Sequence, residues 1–188
     1  MNRPLILASK SPRRSQLLRE AGFDFVVHAF DVDESFPADM PVEEVAPWLA
    51  QNKAQAAAHL IQNREIILAA DSVVILDNVI YNKPENEADA HRMLRQLSGQ
   101  MHTVITGVCL LAKEKETVMS GVTKVWFDHL SDAEITYYVD TYKPYDKAGS
   151  YGAQEWIGHC KIRRIEGTFP NVMGLPVDLV YEALKGFE

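Results

Sequence analysis

The chain has 188 residues, 47% of them hydrophobic, which is enough for one sizeable core and predicts a single domain over residues 1–188. Its 26 acidic residues outnumber 19 basic ones, and the net charge of −7 argues against sequence-independent binding to a nucleic-acid polymer. No stretch approaches the roughly 20 apolar residues of a membrane span, so no membrane association is expected. Two cysteines without metal-type spacing indicate free thiols in a reducing compartment, which predicts a cytoplasmic protein.

The first predicted elements are a short strand and a helix. Residues 5–8 form an apolar run that predicts a buried strand. Ser11 and Pro12 supply the N-cap and the first residue of the helix, which ends at Gly22. Its buried face is predicted to carry Leu17, Leu18 and Ala21. The helix therefore begins directly after the strand, within the motif S-K-S-P-R-R.

Two arginines occupy the first turn of this helix. Arg13 and Arg14 lie where the helix dipole disfavours each cation by about 0.3–1 kcal/mol. A phosphate group would offset that cost, because helix N-termini present N–H groups to anions and arginine adds paired donors. The motif is therefore a candidate polyphosphate site, although a pair of solvated arginines on an exposed turn remains an alternative.

The remaining segments alternate between helices and hairpin strands. In the first half of the chain we expect strand 23–28, an acidic loop 29–40, helix 42–62 with Pro47 in or near its first turn, strand 66–76, a turn at Asp77 and Asn78, and strand 79–81. In the second half we expect helix 85–97, strands 101–112 and 117–128, and a helix opened by the capping box of Ser131 and Glu134. Loop 143–154, strand 158–167 and a last helix near Pro176 complete the prediction. Several hairpins without strict βαβ alternation indicate an α/β or α+β domain around a mixed β-sheet flanked by helices.

Asp71 lies inside the apolar strand 66–76, where an ionised carboxylate is costly to bury unless it is paired, hydrogen-bonded or bound to a metal. It is therefore a candidate catalytic residue facing a cleft, with a structural ion pair or helix cap as the alternative. Glu34, with Asp31 and Asp33, could supply oxygen ligands to a hard cation such as magnesium, although a solvated acidic loop explains them equally well.

Three further polar residues gain interest only in combination. Lys53 and Lys83 are each ordinary surface lysines when taken alone. Gln154 follows a glycine-containing loop, and its amide matches the N3–H and O4 edge of uracil or thymine. A loop-stabilising amide is the alternative for Gln154.

Eight motifs in chain order resemble the Maf family of nucleoside triphosphate pyrophosphatases nearly end to end: ASKSPRRSQLL, the Glu34 loop, Lys53-Ala54, AADSVV, NKP, LSGQMHTVITGV, YDKAGSYGAQ and NVMGLP. The resemblance implies hydrolysis of a nucleoside triphosphate between its α and β phosphates, with a divalent cation, Mg²⁺ or Mn²⁺, as cofactor. It also implies a homodimer and a fold similar to inosine triphosphate pyrophosphatases, with two lobes around a cleft. The loop DKAGSYGAQ is similar to the subgroup acting on dTTP and UTP, and implies removal of modified pyrimidine nucleotides from the pool.

The resemblance also assigns roles to individual positions. It implies that Asp71 is the proton acceptor. As a mechanism hypothesis, Glu34 and Asp71 hold the divalent cation, and the choice between base and metal ligand for Asp71 stays open. The other positions are implied in substrate choice (Arg13, Ser72 and Gln154) or phosphate binding (Ser9, Arg14, Lys53 and Lys83). Two positions depart from the family pattern: Ser72 stands where threonine is commoner, and Lys10 replaces a smaller or amide residue.

Three other functions remain open at this point. The same phosphate chemistry could serve another base. The resemblance also carries an association with septum formation and cell division, so the chain could be a nucleotide-binding regulator that acts by binding alone. A small nucleic-acid binder is the weakest alternative, given the net charge of −7; it would use Arg13, Arg14, Arg163 and Arg164.

Overall fold

The computed structural model of the chain describes residues 3–29 and 31–187. Its strands are β1 (Leu5–Leu7), β2 (Phe25–Val27), β3 (Ile66–Leu76), β4 (Val79–Tyr81), β5 (Met101–Leu111), β6 (Glu116–Phe127) and β7 (Ile162–Glu166). Its α-helices are α1 (Pro12–Glu20), α2 (Val42–Ala56), α3 (Glu87–Leu97), α4 (Asp132–Tyr142), α5 (Trp156–Lys161), α6 (Phe169–Met173) and α7 (Val177–Leu184). Short 3₁₀ turns occupy Ala58–Leu60, Ala148–Ser150 and Lys185–Phe187.

The strands form one mixed sheet in the order β2-β1-β3-β5-β6-β7, with β4 paired to β3. Strand β1 pairs in parallel with both β2 and β3, so that Leu5 lies opposite Phe25 on one side and Ile66 on the other. The β3–β4 and β6–β7 pairs are antiparallel. The prediction of an α/β fold around a mixed sheet is therefore confirmed.

The chain divides into two compact units. Apart from the undescribed positions, the first comprises Met1–Asp71, Thr106–Gly121 and Gly174–Glu188, and the second comprises Ser72–Ile105 and Val122–Met173. Each unit has a cluster of buried apolar residues of its own. The two units agree with the expected two lobes, whereas the single domain and the cleft stay predictions.

Helix α1 begins as its sequence predicts. The hydroxyl of Ser11 accepts a hydrogen bond from the Arg14 N–H at 3.5 Å, and Pro12 is the first helical residue. Gly22 has a φ of +78° and follows the helix end, as expected. The prediction that Ala21 faces inward is wrong, because it is the C-cap residue and is exposed.

Helix α2 is shorter than predicted and lies close to β5. It ends at Ala56, and Pro47 lies in its interior, just beyond the first turn. A Cβ atom on Gly107 of β5 would lie only 2.2 Å from the backbone nitrogen of Pro47. Any side chain at position 107 would collide with the helix backbone, so glycine allows this close approach.

Of two predictions for later segments, the turn at Asp77 and Asn78 is confirmed and the strand over 158–167 is partly wrong. The turn between β3 and β4 has Asp77 at φ 49° and Asn78 at φ 62°, the left-handed pair that suits a tight hairpin. The prediction of a strand over 158–167 is wrong in its first half, because residues up to Lys161 belong to α5. There the N–H groups of Gly158 and His159 donate to the Glu155 carbonyl at 2.9 and 3.2 Å, which closes a helical turn.

Within the part of the chain that the structure describes, no helix is long and apolar enough to cross a membrane. The two cysteines are free thiols, as predicted: Cys109 is buried and Cys160 is exposed. Burial raises the pKa of the Cys109 thiol to about 12, so it stays protonated and packs as a small apolar group.

The predicted capping box at the start of α4 is present and generates a pH-dependent prediction. Glu134 accepts from the Ser131 N–H at 2.8 Å and pairs with the Lys161 ammonium at 2.5 Å. The hydrogen bond from Lys161, followed by that from Ser131, lowers the pKa of Glu134 to about 2. We expect Glu134→Gln to reduce the free energy of unfolding at pH 7 by about 0.5–1 kcal/mol, measured by urea denaturation.

The sign of the pH dependence follows from this lowered pKa. The Glu134 contribution is complete above its ordinary value of 4.5 and is lost as the pH falls toward 2. The difference between wild type and Glu134→Gln should therefore shrink between pH 5 and pH 3. Asp140→Asn, on the same helix and 3.8 Å from an exposed Lys143, is the matched control and should change little. A Glu134→Gln deficit that stays constant over this range would contradict the prediction.

Candidate active site

The first unit holds Ser9 and Arg14 in a fixed arrangement between β1 and α1. The Ser9 hydroxyl accepts from the Ser11 N–H at 3.1 Å and from Nη1 of Arg14 at 3.3 Å. Nε of Arg14 donates to the carbonyl of Gly174 at 2.8 Å. The guanidinium is therefore held in one orientation by groups on both sides, as an anion-binding residue requires.

Arg14 also lies within electrostatic reach of two carboxylates. Burial lowers the pKa of its guanidinium, and so does Arg13, whereas Asp71 and Glu34 act in the opposite direction. An arginine stays charged at neutral pH even so. Arg13 lies in the same helical turn and is half-buried. The interpretation of the pair as fully solvated is thus wrong for Arg14.

A lysine joins the two acidic residues predicted for this site. Lys53 lies in the last turn of α2, and its Nζ is 2.7 Å from Oε1 of Glu34. The same Nζ also donates to Oδ1 of Asp71 on β3. The side chains of Lys53 and Asp71 are only 16% and 14% exposed, whereas that of Glu34 is 48% exposed. The Asp71 carboxylate is therefore compensated by an ammonium group in a setting largely withdrawn from water.

Asp31 and Asp33, the neighbouring acidic residues, contact residues other than Lys53. Asp31 pairs with Lys10, and these side chains are 95% and 59% exposed. Asp33 accepts from the N–H and the hydroxyl of Ser35 at 2.9 and 2.8 Å, and these hydrogen bonds lower its pKa. Of the three acidic residues suggested as ligands, Glu34 is the one that contacts Lys53.

The donor set fits a magnesium-type ion that is completed by a substrate. Among residues 3–29 and 31–187, no group of three or more histidine, cysteine or acidic side chains could hold a metal ion. Glu34 and Asp71 nevertheless converge on one cationic group, the Lys53 ammonium. Mg²⁺ is commonly held by one or two carboxylates with substrate phosphates and water, which matches the two convergent carboxylates in number.

The second unit contains the other three candidate residues. Ser72 directly follows Asp71 on β3, and Lys83 is exposed in the segment after β4. Gln154 ends the glycine-containing loop, and its buried Oε1 has no hydrogen-bond partner among residues 3–29 and 31–187. A buried amide oxygen of this kind costs free energy unless a donor satisfies it, so this oxygen is a candidate acceptor for a ligand.

Sequence reasoning missed several residues that hold the candidate residues of each unit in place. Gly174, with a φ of +116°, supplies the carbonyl that fixes Arg14. In the second unit, Tyr138 and Glu155 contact the loop that carries Gln154. The glycine in N-V-M-G-L-P was a usable signal for the first of these. The Tyr138 hydroxyl contacts Gly152 and Glu155, which lie 14 and 17 positions later in the chain. No spacing in the sequence indicates these contacts.

The charge compensation at Asp71 leads to a stability prediction. Lys53→Met removes the cation between Glu34 and Asp71 and leaves a largely buried carboxylate without it. We expect the free energy of unfolding to fall by about 1–3 kcal/mol. Lys10→Met removes an exposed pair and should change stability by no more than about 0.5 kcal/mol. Equal effects of the two variants in urea denaturation at pH 7 would refute the compensating role of Lys53.

Comparison with known proteins extends the resemblance seen in the sequence. A family model described as Maf-like protein matches residues 4–187. The dTTP/UTP pyrophosphatase of Bacteroides thetaiotaomicron is 47% identical over 182 residues, covering 96% of this chain and 94% of that protein. The protein of the same name from Phocaeicola vulgatus is 48% identical over 182 residues, with the same coverage of 96% and 94%.

The fold has a counterpart among solved structures. The Staphylococcus aureus Ham1 protein aligns with a TM-score of 0.56 and 16% sequence identity, covering 98% of this chain and 100% of that one. At this identity the likeness is one of fold. The family model, in contrast, matches almost the whole chain, and the two relatives are close to half identical to it. The chain therefore belongs to the Maf family.

Proposed function

We propose that the chain is a nucleoside triphosphate pyrophosphatase that hydrolyses dTTP and UTP to the monophosphate and pyrophosphate. The observation that carries this proposal is the Asp71 carboxylate, largely buried and held by Lys53 beside Glu34. The names of relatives at 47% and 48% identity support the substrate class. A regulator acting by binding alone gains no support from these relatives.

The basic start of α1 supplies the phosphate-binding part of the proposed mechanism. Arg14 is oriented by Ser9 and Gly174, and Arg13 lies in the same turn. Together with the N–H groups of the helix start, they would hold the triphosphate and stabilise negative charge that develops on the leaving pyrophosphate. Lys83 is proposed to contribute a further cation.

Glu34 and Asp71 would hold the divalent cation, Mg²⁺ or Mn²⁺. When bound, such an ion neutralises phosphate charge and favours attack on phosphorus. Asp71 itself would orient the attacking water or accept its proton, and general base catalysis of this kind contributes about 10²–10⁴-fold. Lys53 positions the carboxylate for that role through its hydrogen bond to Oδ1.

Gln154 is proposed to recognise the base. Its buried Oε1 would accept the N3–H of uracil or thymine, and its Nε2 would donate to O4. The thymine methyl changes binding by only about 1–3 kcal/mol in an apolar pocket, so one site can accept both dTTP and UTP. Ser72 keeps a hydroxyl at the position implied in substrate choice. Removal of modified pyrimidine nucleotides from the pool, a homodimer and a cytoplasmic location belong to the same proposal.

The proposed function is tested by measuring the products from dTTP, UTP, CTP, GTP and 7-methyl-GTP. With Mg²⁺ or Mn²⁺ present, we expect pyrophosphate and monophosphate from dTTP and UTP, with kcat/KM well above that for the other nucleotides. A chelator should abolish turnover. Release of inorganic phosphate, or no turnover of any of the five, would contradict the proposal.

The same assay tests the role of Gln154. Gln154→Glu should lower kcat/KM for dTTP and UTP by about 10–100-fold, because a carboxylate cannot donate to O4. Gln100→Glu makes the same change at an exposed position of the second unit and serves as the control. If Gln154→Glu and Gln100→Glu had equal kcat/KM for UTP, Gln154 would have no part in base recognition.

A further inference from the structure

Tyr138 is a fully buried residue of α4 whose hydroxyl makes two hydrogen bonds to the loop before α5. The Gly152 N–H donates to Oη of Tyr138 at 2.9 Å, and Oη donates to Oε2 of Glu155. Burial, followed by the hydrogen bond to Glu155, raises the pKa of Tyr138, so the hydroxyl stays protonated and able to donate. Both hydrogen-bonding functions of the phenol are therefore used within the protein.

Glu155 connects the two ends of the same loop. Its Oε1 lies 3.1 Å from Nζ of Lys147, and its Oε2 accepts a hydrogen bond from the Tyr138 hydroxyl. The side chains of Lys147 and Glu155 are only 9% and 17% exposed. Because both charges are largely withdrawn from water, removing Lys147 would leave Glu155 without this cation, whereas Lys147 also pairs with Asp146 at 2.8 Å. The ion pair thus fixes residue 147 against residue 155.

The loop between these ends contains a strained backbone. Ser150 has a φ of +61° although it is a buried non-glycine residue, and Gly149 before it has a φ of +67°. A non-glycine residue in this region is strained and persists only where surrounding contacts hold it. Tyr138, Glu155 and Lys147 provide contacts of this kind on either side of Ser150.

The amide of Gln154 packs against the residue that Tyr138 holds. A Cβ atom on Gly152 would lie 2.8 Å from Nε2 of Gln154 and 2.9 Å from Cδ of Glu155. The Gln154 amide therefore rests directly on the Gly152 backbone, and the N–H of that residue is fixed by Tyr138. A shift of Gly152 would therefore also move the side-chain amide of Gln154.

We propose that Tyr138 and Glu155 are positioning residues for base recognition, which fix the loop from Lys147 to Glu155 so that the Gln154 amide is aimed at the pyrimidine. This inference rests on the proposed function. Tyr138 acts through Gly152, and Glu155 acts through Lys147 and Tyr138. Misplacement of a recognition group by about 1 Å can cost about 10²-fold in rate, so anchoring of the loop has a direct effect on selectivity.

Tyr138→Phe tests this inference, because it removes both hydrogen bonds while keeping the ring. Tyr142→Phe is the matched control, because it removes the same hydroxyl group from the same helix. The Tyr142 ring stacks on that of Tyr138, with 5.0 Å between the ring centroids. We expect the Gly152 amide to exchange with solvent deuterons at least about 10-fold faster in Tyr138→Phe than in Tyr142→Phe, measured by NMR.

The second measurement is the ratio of kcat/KM for UTP to that for CTP. It should fall by about 10-fold in Tyr138→Phe, chiefly through a higher KM for UTP, and stay at the wild-type value in Tyr142→Phe. Glu155→Gln provides a second variant: it keeps the size of the side chain, removes the charge paired with Lys147, and should lower the ratio in the same direction.

The outcomes separate this inference from the function on which it rests. Gly152 exchange in Tyr138→Phe equal to that in Tyr142→Phe would overturn the anchoring. Faster exchange with an unchanged UTP to CTP ratio in both Tyr138→Phe and Glu155→Gln would overturn the role in selectivity. If wild-type protein turned over neither UTP nor dTTP, the proposed function would be wrong, while Gly152 exchange would still decide whether Tyr138 anchors the loop.

Discussion

The placement of one carboxylate in a buried strand constrains the first unit. Asp71 ends a run of buried residues on β3, and its charge is compensated by Lys53. That contact requires the last turn of α2 to lie near the strand. Small buried residues, Ala50 and Ala54, face the core on this helix, and Gly107 lets β5 approach its backbone. The packing of α2 and the pairing of Lys53 with Asp71 therefore both depend on how this helix lies against the sheet.

Much of the fold was predictable because its signals are local. The β-branched run of β3 and the left-handed turn at Asp77 and Asn78 act over neighbouring residues, and both were located correctly. The strand expected over 158–167 was wrong in its first half because the Glu155 carbonyl accepts two N–H groups, which a hydropathy pattern does not reveal. The prediction that Ala21 is buried was wrong because α1 ends at Glu20, one residue before the last apolar residue of its pattern.

The candidate site was predictable in its residue types and less so in its contacts. The cost of burying Asp71 indicated that some compensating group exists, and the structure identifies Lys53, 18 positions away. The residues of the acidic loop did not by themselves favour Glu34 over Asp31 and Asp33, and the preference for Glu34 came from the family resemblance. In the structure, Glu34 contacts Lys53. Contacts between distant residues follow from the tertiary fold, and one sequence carries no local signal for them.

The most direct test of the proposed reaction compares wild-type protein with Asp71→Asn in pyrophosphate release from UTP. If Asp71 orients or deprotonates the attacking water, Asp71→Asn should fold with an unchanged circular dichroism spectrum and lose at least about 100-fold in kcat. Asp31→Asn, at an exposed carboxylate paired with Lys10, should retain wild-type activity. Turnover by Asp71→Asn within a few-fold of wild type would contradict the assignment of the chemistry to this carboxylate.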